Sequence, residues 1–380
     1  MTERESKALA IARLLLIFCL VTQHFCLLDT VAGGLLDPDF ATPVYDFISS
    51  KILFPPGGIE PLFFISGWLF FINVPQGGGI LGGGGNSIYA RKLRSRVRTL
   101  LVPCIVWNCL WLAYTLVKNY HLGQLGESST IALDSPLKIL QVFFYCGEGP
   151  TPLLPIAFYM WFVRDLMLCA LLTPLFHKFY QWRYAIWVLV AVFVVYSIFL
   201  LDSVFPIGFV IGGWFGYKRI NPFRAVVKMR WAILAPIAIA LNLILHWLAP
   251  IPEVLWPMVV VNFFVVLKFS YWLSSYSMKT NISSFSMWFY VSHAVIVSVI
   301  GHITPHFLPP TSDANMTALY LLNGTLCIAF CIISFYLLSR RPFHPLFAIM
   351  TGGRGMVFSF ICGRSLHGEG TEKVFVGYKL

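Results

Sequence analysis

The stretch RLLLIFCLVTQH, Arg13 to His24, joins a guanidinium to an imidazole through an otherwise apolar run. A guanidinium is a permanent cation that pairs with anions, while an imidazole changes charge near neutral pH. Eleven residues at about 100° each bring both side chains onto one helix face, roughly 16 Å apart. Ionisable groups inside a spanning helix are costly and serve as ligands, relays or catalysts. The plainer account is that Arg13 snorkels to the inner headgroups and His24 hydrogen-bonds a neighbour near the outer end.

Four further stretches carry candidate chemistry. RKLRSRVRTLLVP, 91–103, holds Arg91, Arg94, Arg96 and Arg98; it is either a topological signal or a cradle for a phosphorylated cytosolic ligand. GGIEPLFFISGWLFF, 57–71, holds Glu60 and the pair Ser66-Gly67, and small residues in mid-span let helices approach closely. In WFVRDL, 161–166, Trp161 precedes Arg164 and Asp165. Those two point about 100° apart, so each is expected to pair with another helix. Tyr290 and His293 are three apart and share a face, where Tyr290 either orients His293 or both bond structurally.

Other patterns do not carry through. Gly77-x-Gly79-x-x-Gly82 matches a dinucleotide fingerprint by letter but has no βαβ context and reads as a flexible loop. The nine cysteines are odd in number and show no zinc-like spacing, so neither a metal site nor a disulfide framework is indicated.

The elements that must position these residues are membrane helices. The 380 residues are 58% hydrophobic and 11% charged, with mean hydropathy +0.77, far from a soluble domain. Apolar segments near 8–28, 59–74, 99–118, 157–176, 184–201, 203–217, 231–248, 255–275, 284–303 and 317–338 predict an all-α polytopic protein of about ten transmembrane helices. The first is expected to be a retained span rather than a signal peptide. With the amino terminus in the cytoplasm, only Lys51, Lys118 and Lys138 of the 27 Lys and Arg lie outside, and Arg13, Arg164 and Lys268 lie in the membrane. That asymmetry predicts both termini cytoplasmic and accounts for the net charge of +11 without a nucleic-acid partner. Outer loops near 29–58 and 119–156 are long enough to shape a site, and 135–146 reads as a possible interfacial helix. Residues 1–340 are read as the membrane domain and 341–380 as a cytoplasmic basic tail.

Taken in order, these motifs resemble the acyltransferase-3 family of integral-membrane acyltransferases. Arg-x10-His in the first helix is matched by Arg13 and His24, and FFxxSG[FW] by FFISGW at 63–68. The basic run before a proline-started helix is matched by Arg91 to Pro103, a Trp-containing segment by MWFVRD at 160–165, and a late Tyr-x-x-His by Tyr290 and His293. One departure stands out: the family often places Arg-x-x-Arg just ahead of the proline, whereas here that spacing falls at Arg91 and Arg94, and Arg96 is followed three on by Thr99.

The resemblance implies transfer of an acyl group, commonly acetyl from cytosolic acetyl-CoA, to a hydroxyl of a surface polysaccharide, glycolipid or related acceptor across the bacterial inner membrane. Acyl-CoA is then a substrate, and no bound cofactor or metal is implied. On this reading His24 is general base or becomes acylated, Arg13 holds the donor or steadies the oxyanion, and Arg91, Arg94, Arg96 and Arg98 hold CoA phosphates. Ser66 and Gly67 approach the thioester, and Glu60, Trp161, Arg164, Asp165, Tyr290 and His293 support the acceptor. The rival is a proton-coupled transporter or flippase with a His24, Arg164, Asp165, His293 relay; no internal repeat supports it. An inactive scaffold of an export complex is a third reading.

Overall fold

The structure, a computed structural model, describes residues 1–22, 24–25, 43–46, 48, 59–74, 88–121, 143, 155–199, 206–248, 255–276, 282–340 and 342–353. Most of the expected outer loops, the Gly77–Gly82 stretch, the segment 135–146 apart from Phe143, and the tail beyond 353 lie outside the described residues.

Every regular element among the described residues is helical. In chain order these are α1 (Glu3–Thr22), α2 (Pro43–Asp46), α3 (Glu60–Phe71), α4 (Ile88–Arg96), α5 (Val102–His121), α6 (Trp161–Gln181), α7 (Ala185–Phe199), α8 (Ile207–Tyr217), α9 (Pro222–Lys228), α10 (Trp231–Leu248), α11 (Leu255–Leu273), α12 (Ile282–Ile303), α13 (Asp313–Leu338) and α14 (His344–Thr351). Each of the ten apolar segments read from the sequence holds one of them. Among the described residues, three helices are long and apolar enough to cross a bilayer: Ile88–Val117, Ile282–His306 and Asp313–Leu338. A fourth span results if Pro222–Lys228 and Trp231–Asn242, bent by 103°, form one broken crossing.

α4 and α5 are joined by a π-turn, Val97–Leu101, in which the N–H of Val102 bonds the carbonyl of Val97. Pro103 lacks an N–H and its ring presses on the preceding turn, so a widened turn just ahead of it relieves the clash without ending the helix. Lys268, a cation on an apolar helix, is accounted for locally: its ammonium caps the end of α9 by donating to the carbonyls of Val226, at 3.2 Å, and of Met229.

The most extensive pairing joins α3 to α8. A Cβ built at Gly208 would lie 2.4 Å from the Glu60 carbonyl oxygen, at Gly212 2.0 Å from that of Phe64, and at Gly216 2.4 Å from that of Trp68. From the other side, a Cβ at Gly67 would lie 2.1 Å from the carbonyl oxygen of Phe209. The two series ascend together in steps of four, so the helices run parallel with backbones in direct contact, the arrangement small residues allow where lipid supplies no hydrophobic drive. Aromatic residues fill the rest: Trp68 is fully buried with its indole N–H on the Ile220 carbonyl at 2.9 Å, and Tyr180 is fully buried with its hydroxyl on the Val210 carbonyl at 2.7 Å. Both polar tips thus have partners inside the bundle.

On the other side α1 packs against α11 and α12, and α12 against α13. Residues 344–351, assigned to the tail by sequence, form α14, which docks on α5, α12 and α13 with Phe347 fully buried against Trp288 and Phe335. α14 ends on Gly352 at φ 71°, and a Cβ there would lie 2.7 Å from the backbone of Thr99 in the π-turn. Only glycine combines that left-handed conformation with so close an approach.

Candidate active site

Five helices enclose a cavity of about 500 Å³, within the range of small-molecule sites. α1 contributes Arg13 and Ile17; α3, Leu62, Ser66 and Phe70; α6, Phe162, Val163 and Leu166; and α12, Ser283, Met287 and Tyr290. α4 and the π-turn contribute a stripe at helical spacing: Ile88, Arg91 and Lys92, Ser95 and Arg96, Thr99 and Leu100. Four cations line the cavity, and no carboxylate is among its lining residues.

The two ends differ. Lys92 donates to the Phe70 carbonyl with its ammonium 4.9 Å from the Phe70 ring centroid, and the Tyr89 hydroxyl donates to the Leu171 carbonyl at 3.2 Å. These contacts fix one end, where Arg91, Lys92, Ser95 and Arg96 gather. At the other end Phe63 meets Phe162 edge to face at 4.7 Å, and Phe162 meets Tyr290 at 5.9 Å and 76°. Ile17 and Leu62 add apolar lining, and Arg13 stands one turn before Ile17 on α1. The cavity therefore grades from cationic to apolar and aromatic.

Beyond Tyr290 lies a pair of histidines. The ring of His24 stacks on that of His293, centroids 5.4 Å apart and planes at 25°. Tyr159 meets His293 edge-on at 5.5 Å, and the Tyr290 hydroxyl donates to the Tyr159 carbonyl. Tyr290 thus lines the cavity with one face and belongs to the histidine cluster through the other.

Several sequence expectations are corrected here. α1 ends at Thr22, and His24 sits in the turn that follows, its N–H on the Val21 carbonyl at 3.0 Å. His24 therefore lies just past the helix that carries Arg13, and α12 meets both: it supplies Met287 and Tyr290 to the cavity that Arg13 lines, and His293 to the ring of His24. Arg164 and Asp165 bond each other, Nε to Oδ1 at 2.7 Å, although each was expected to pair elsewhere. The long arginine side chain folds back across the 100° that separates their Cβ directions. Of the alternatives open for Tyr290 and His293, the structure shows a link through the backbone: His293 Nδ1 lies 2.5 Å from the Tyr290 carbonyl, while the Tyr290 hydroxyl goes to the Tyr159 carbonyl.

The remaining candidates are placed as follows. Ser66, Arg91 and Arg96 line the cavity, whereas Arg94 and Arg98 are exposed and outside its lining. Gly67 lies in the contact with α8 rather than at the cavity. The Glu60 carboxylate accepts the N–H of Gly208 at 2.7 Å, capping the first turn of α8. Trp161 is half-buried beside Phe63, 6.4 Å between centroids. Lys92 was passed over by the sequence reading, although its helical spacing from Ile88, Ser95 and Thr99 marks it. Tyr159 carries no such signal, because its place depends on a contact with α12, 131 residues away. Among the described residues no three His, Cys, Asp or Glu side chains converge as a metal site needs.

The family model of the acyltransferase-3 domain, described as "Acyltransferase domain", matches residues 7–340. The chain belongs to the acyltransferase-3 family. No curated protein and no solved structure matches it. As an acyltransferase-3 protein it is a membrane acyltransferase, and the matched span contains both the cationic cavity and the histidine pair. α14 lies beyond the acyltransferase-3 match.

Proposed function

We propose that the chain moves an acyl group, acetyl in the first instance, from cytosolic acyl-CoA to a hydroxyl of a surface polysaccharide, glycolipid or related acceptor. Its setting on this reading is a bacterial inner membrane, crossed about ten times with both termini in the cytoplasm. The observation that carries the proposal is the cavity, with cations at one end, apolar and aromatic walls at the other, and two imidazoles just past its end.

The chemistry follows the gradient. Arg91, Lys92 and Arg96 hold the CoA phosphates, for which guanidinium offers bidentate hydrogen bonds. The thioester then lies along the apolar walls toward Tyr290, with Arg13 and Ser66 near its carbonyl. A fixed cation in a site shielded from water stabilises a developing oxyanion far better than one in bulk water. His24 takes the proton of the acceptor hydroxyl as the oxygen bonds the thioester carbon. The carbon–sulfur bond breaks, and the CoA thiolate receives the proton from His24. Alternatively His24 first accepts the acyl group itself and passes it to the hydroxyl.

Two measurements test this. CoA or acetyl-CoA should raise the melting temperature of the detergent-solubilised protein, since a ligand that binds only the native state raises apparent stability. Labelled acetyl-CoA supplied to membrane vesicles bearing the chain should label surface glycans or glycolipids, and His24→Ala should abolish that labelling while keeping the CoA-induced stabilisation. Unreduced transfer by His24→Ala sinks the catalytic assignment; absence of any CoA stabilisation sinks the donor.

A further inference from the structure

His293 is buried to 0% exposure on α12, yet its Nε2 has no hydrogen-bond partner among the described residues. Its other nitrogen settles the tautomer. Nδ1 lies 2.5 Å from the Tyr290 carbonyl oxygen, and a carbonyl only accepts, so Nδ1 carries the hydrogen. In the neutral ring Nε2 is then a bare lone pair. Buried acceptors of this kind are nearly always paired, and an exception asks for a role.

The surroundings narrow that role. The titratable groups facing His293 are His24 from the turn after α1, Tyr159 from the segment before α6, Tyr290 on its own helix, and Cys327 on α13, whose thiol points at the His293 carbonyl at 4.0 Å. Among the described residues no carboxylate faces His293. An imidazole that reacts at one nitrogen needs its other N–H held, a task that falls to a carboxylate in hydrolytic triads and to carbonyls or carboxylates at metal sites. Here the group stacked on His24 is itself an imidazole with an open acceptor.

We propose that His293 is a positioning residue for His24, its Nε2 lone pair receiving the ring N–H of His24 in the reacting complex. Rotation of the His24 ring from the stacked arrangement closes this bond, and catalytic hydrogen bonds commonly tighten only once substrate is bound. Tyr290 anchors the pair twice, through its carbonyl on His293 and through its hydroxyl on Tyr159. The inference rests on His24 as the reacting imidazole and serves both forms of that reading. Whether the far nitrogen of His24 takes the hydroxyl proton or the acyl group, the N–H toward His293 stays in place, and His293 gives no atom to the product.

The test uses vesicles bearing the full chain, labelled acetyl-CoA as donor and the vesicles' own glycans and lipids as acceptors. His293→Phe keeps a flat ring for stacking but removes the lone pair; His293→Asn removes the ring but keeps an oxygen acceptor. Expected are a fall in maximal rate of at least about 100-fold for His293→Phe, with KM for acetyl-CoA within about twofold of the parent, and recovery to within about tenfold for His293→Asn. In the double variant, His293→Phe should cost nothing beyond His24→Ala, as for two groups acting as one unit. Parent-like rates for His293→Phe, equal losses for Phe and Asn, or multiplicative losses in the double variant would overturn the proposal. Should His293→Phe lose the CoA-induced stabilisation that marks folded protein, His293→Leu replaces it with the same expectations. Full activity of His24→Ala defeats the functional reading itself; an inactive His24→Ala beside a fully active His293→Phe defeats only the positioning role.

Discussion

The cavity and the histidine pair share one residue, Tyr290, and otherwise have opposite designs. The cavity is roomy, gathers four cations and no carboxylate, and draws its walls from five helices. The histidine pair is built instead from rings in contact: His24, His293, Tyr159 and Tyr290. On the proposed reading the difference separates two tasks that conflict. Phosphate binding needs fixed positive charge, whereas an imidazole that must accept a proton or an acyl group needs to be neutral, and nearby cations would help to keep it so only at the cost of repelling the imidazolium that forms. With Tyr290 shared between them, an acyl-CoA donor bound as proposed would meet different environments at its charged end and its reacting end.

The strongest way to break the comparison is to strike both regions at once. α3 carries Ser66 at the cavity and is held in place by its backbone contact with α8, where a Cβ at Gly212 already meets the Phe64 carbonyl oxygen at 2.0 Å. Gly212→Val has no soft side chain to push aside, only backbone. Overpacking a fitted interior typically costs about 1–3 kcal/mol, and a clash with backbone lies above that range. The expected outcome is loss of monodisperse protein in detergent, together with loss of CoA binding and acyl transfer. A well-folded Gly212→Val protein would show that the ladder of glycines is not what sets the α3–α8 distance.

A sharper cut removes charge from the cavity alone. Arg91→Ala with Arg96→Ala should raise KM for acetyl-CoA by about 100-fold, taking roughly 1.5–3 kcal/mol for each charge-assisted contact and allowing for partial substitution by Lys92. The maximal rate at saturating donor should stay within about threefold, because the histidine pair is untouched. Steady-state kinetics at varied acetyl-CoA reads this split. A fall in maximal rate with unchanged KM would mean that these arginines act on the reaction rather than on the donor.

How much of this was legible in the sequence differs between the two regions for the same physical reason. The cavity's basic stripe is local: residues 88 to 100 lie on one continuous helix, and a period of 3.6 sorts Arg91 and Arg96 from Arg94, although the π-turn ahead of Pro103 shifts the phase beyond Arg96. The apolar segments were equally readable, since a bilayer demands long runs whose backbone bonds close internally. The histidine pair is nonlocal. His24 and His293 were each visible as ionisable residues in apolar surroundings, but nothing in either segment says that α1 stops at Thr22 or that the two rings stack across 269 positions. The Arg164–Asp165 pair failed for another reason: helical angle predicts where a Cβ points, not where a flexible guanidinium ends.

Tyr290→Phe tests the shared wall. The substitution keeps the ring that faces Phe162 and removes the hydroxyl that donates to the Tyr159 carbonyl. Leaving a buried acceptor unpaired costs about 1–3 kcal/mol, spread here between stability and the placing of Tyr159 against His293. The maximal rate should fall about tenfold and KM for acetyl-CoA should rise about twofold, a mixed signature that neither a pure cavity residue nor a pure histidine-pair residue produces. Movement of KM alone would assign Tyr290 to the donor side only.

The smallest expected effect sharpens the comparison from within the basic cluster. Arg94 sits between two lining arginines in sequence yet is exposed and outside the cavity's lining. If net positive charge near the membrane surface were what draws CoA in, removing any one of these arginines would matter alike, and the loss would grow at low salt, where screening is weak. If geometry on the stripe decides, Arg94→Ala should leave KM for acetyl-CoA within about twofold of the parent at all ionic strengths, as surface substitutions away from special contacts usually do. KM measured at two salt concentrations for Arg94→Ala and Arg96→Ala separates the two accounts. Equal effects at both positions would turn the cavity from a fitted site into a diffuse electrostatic funnel.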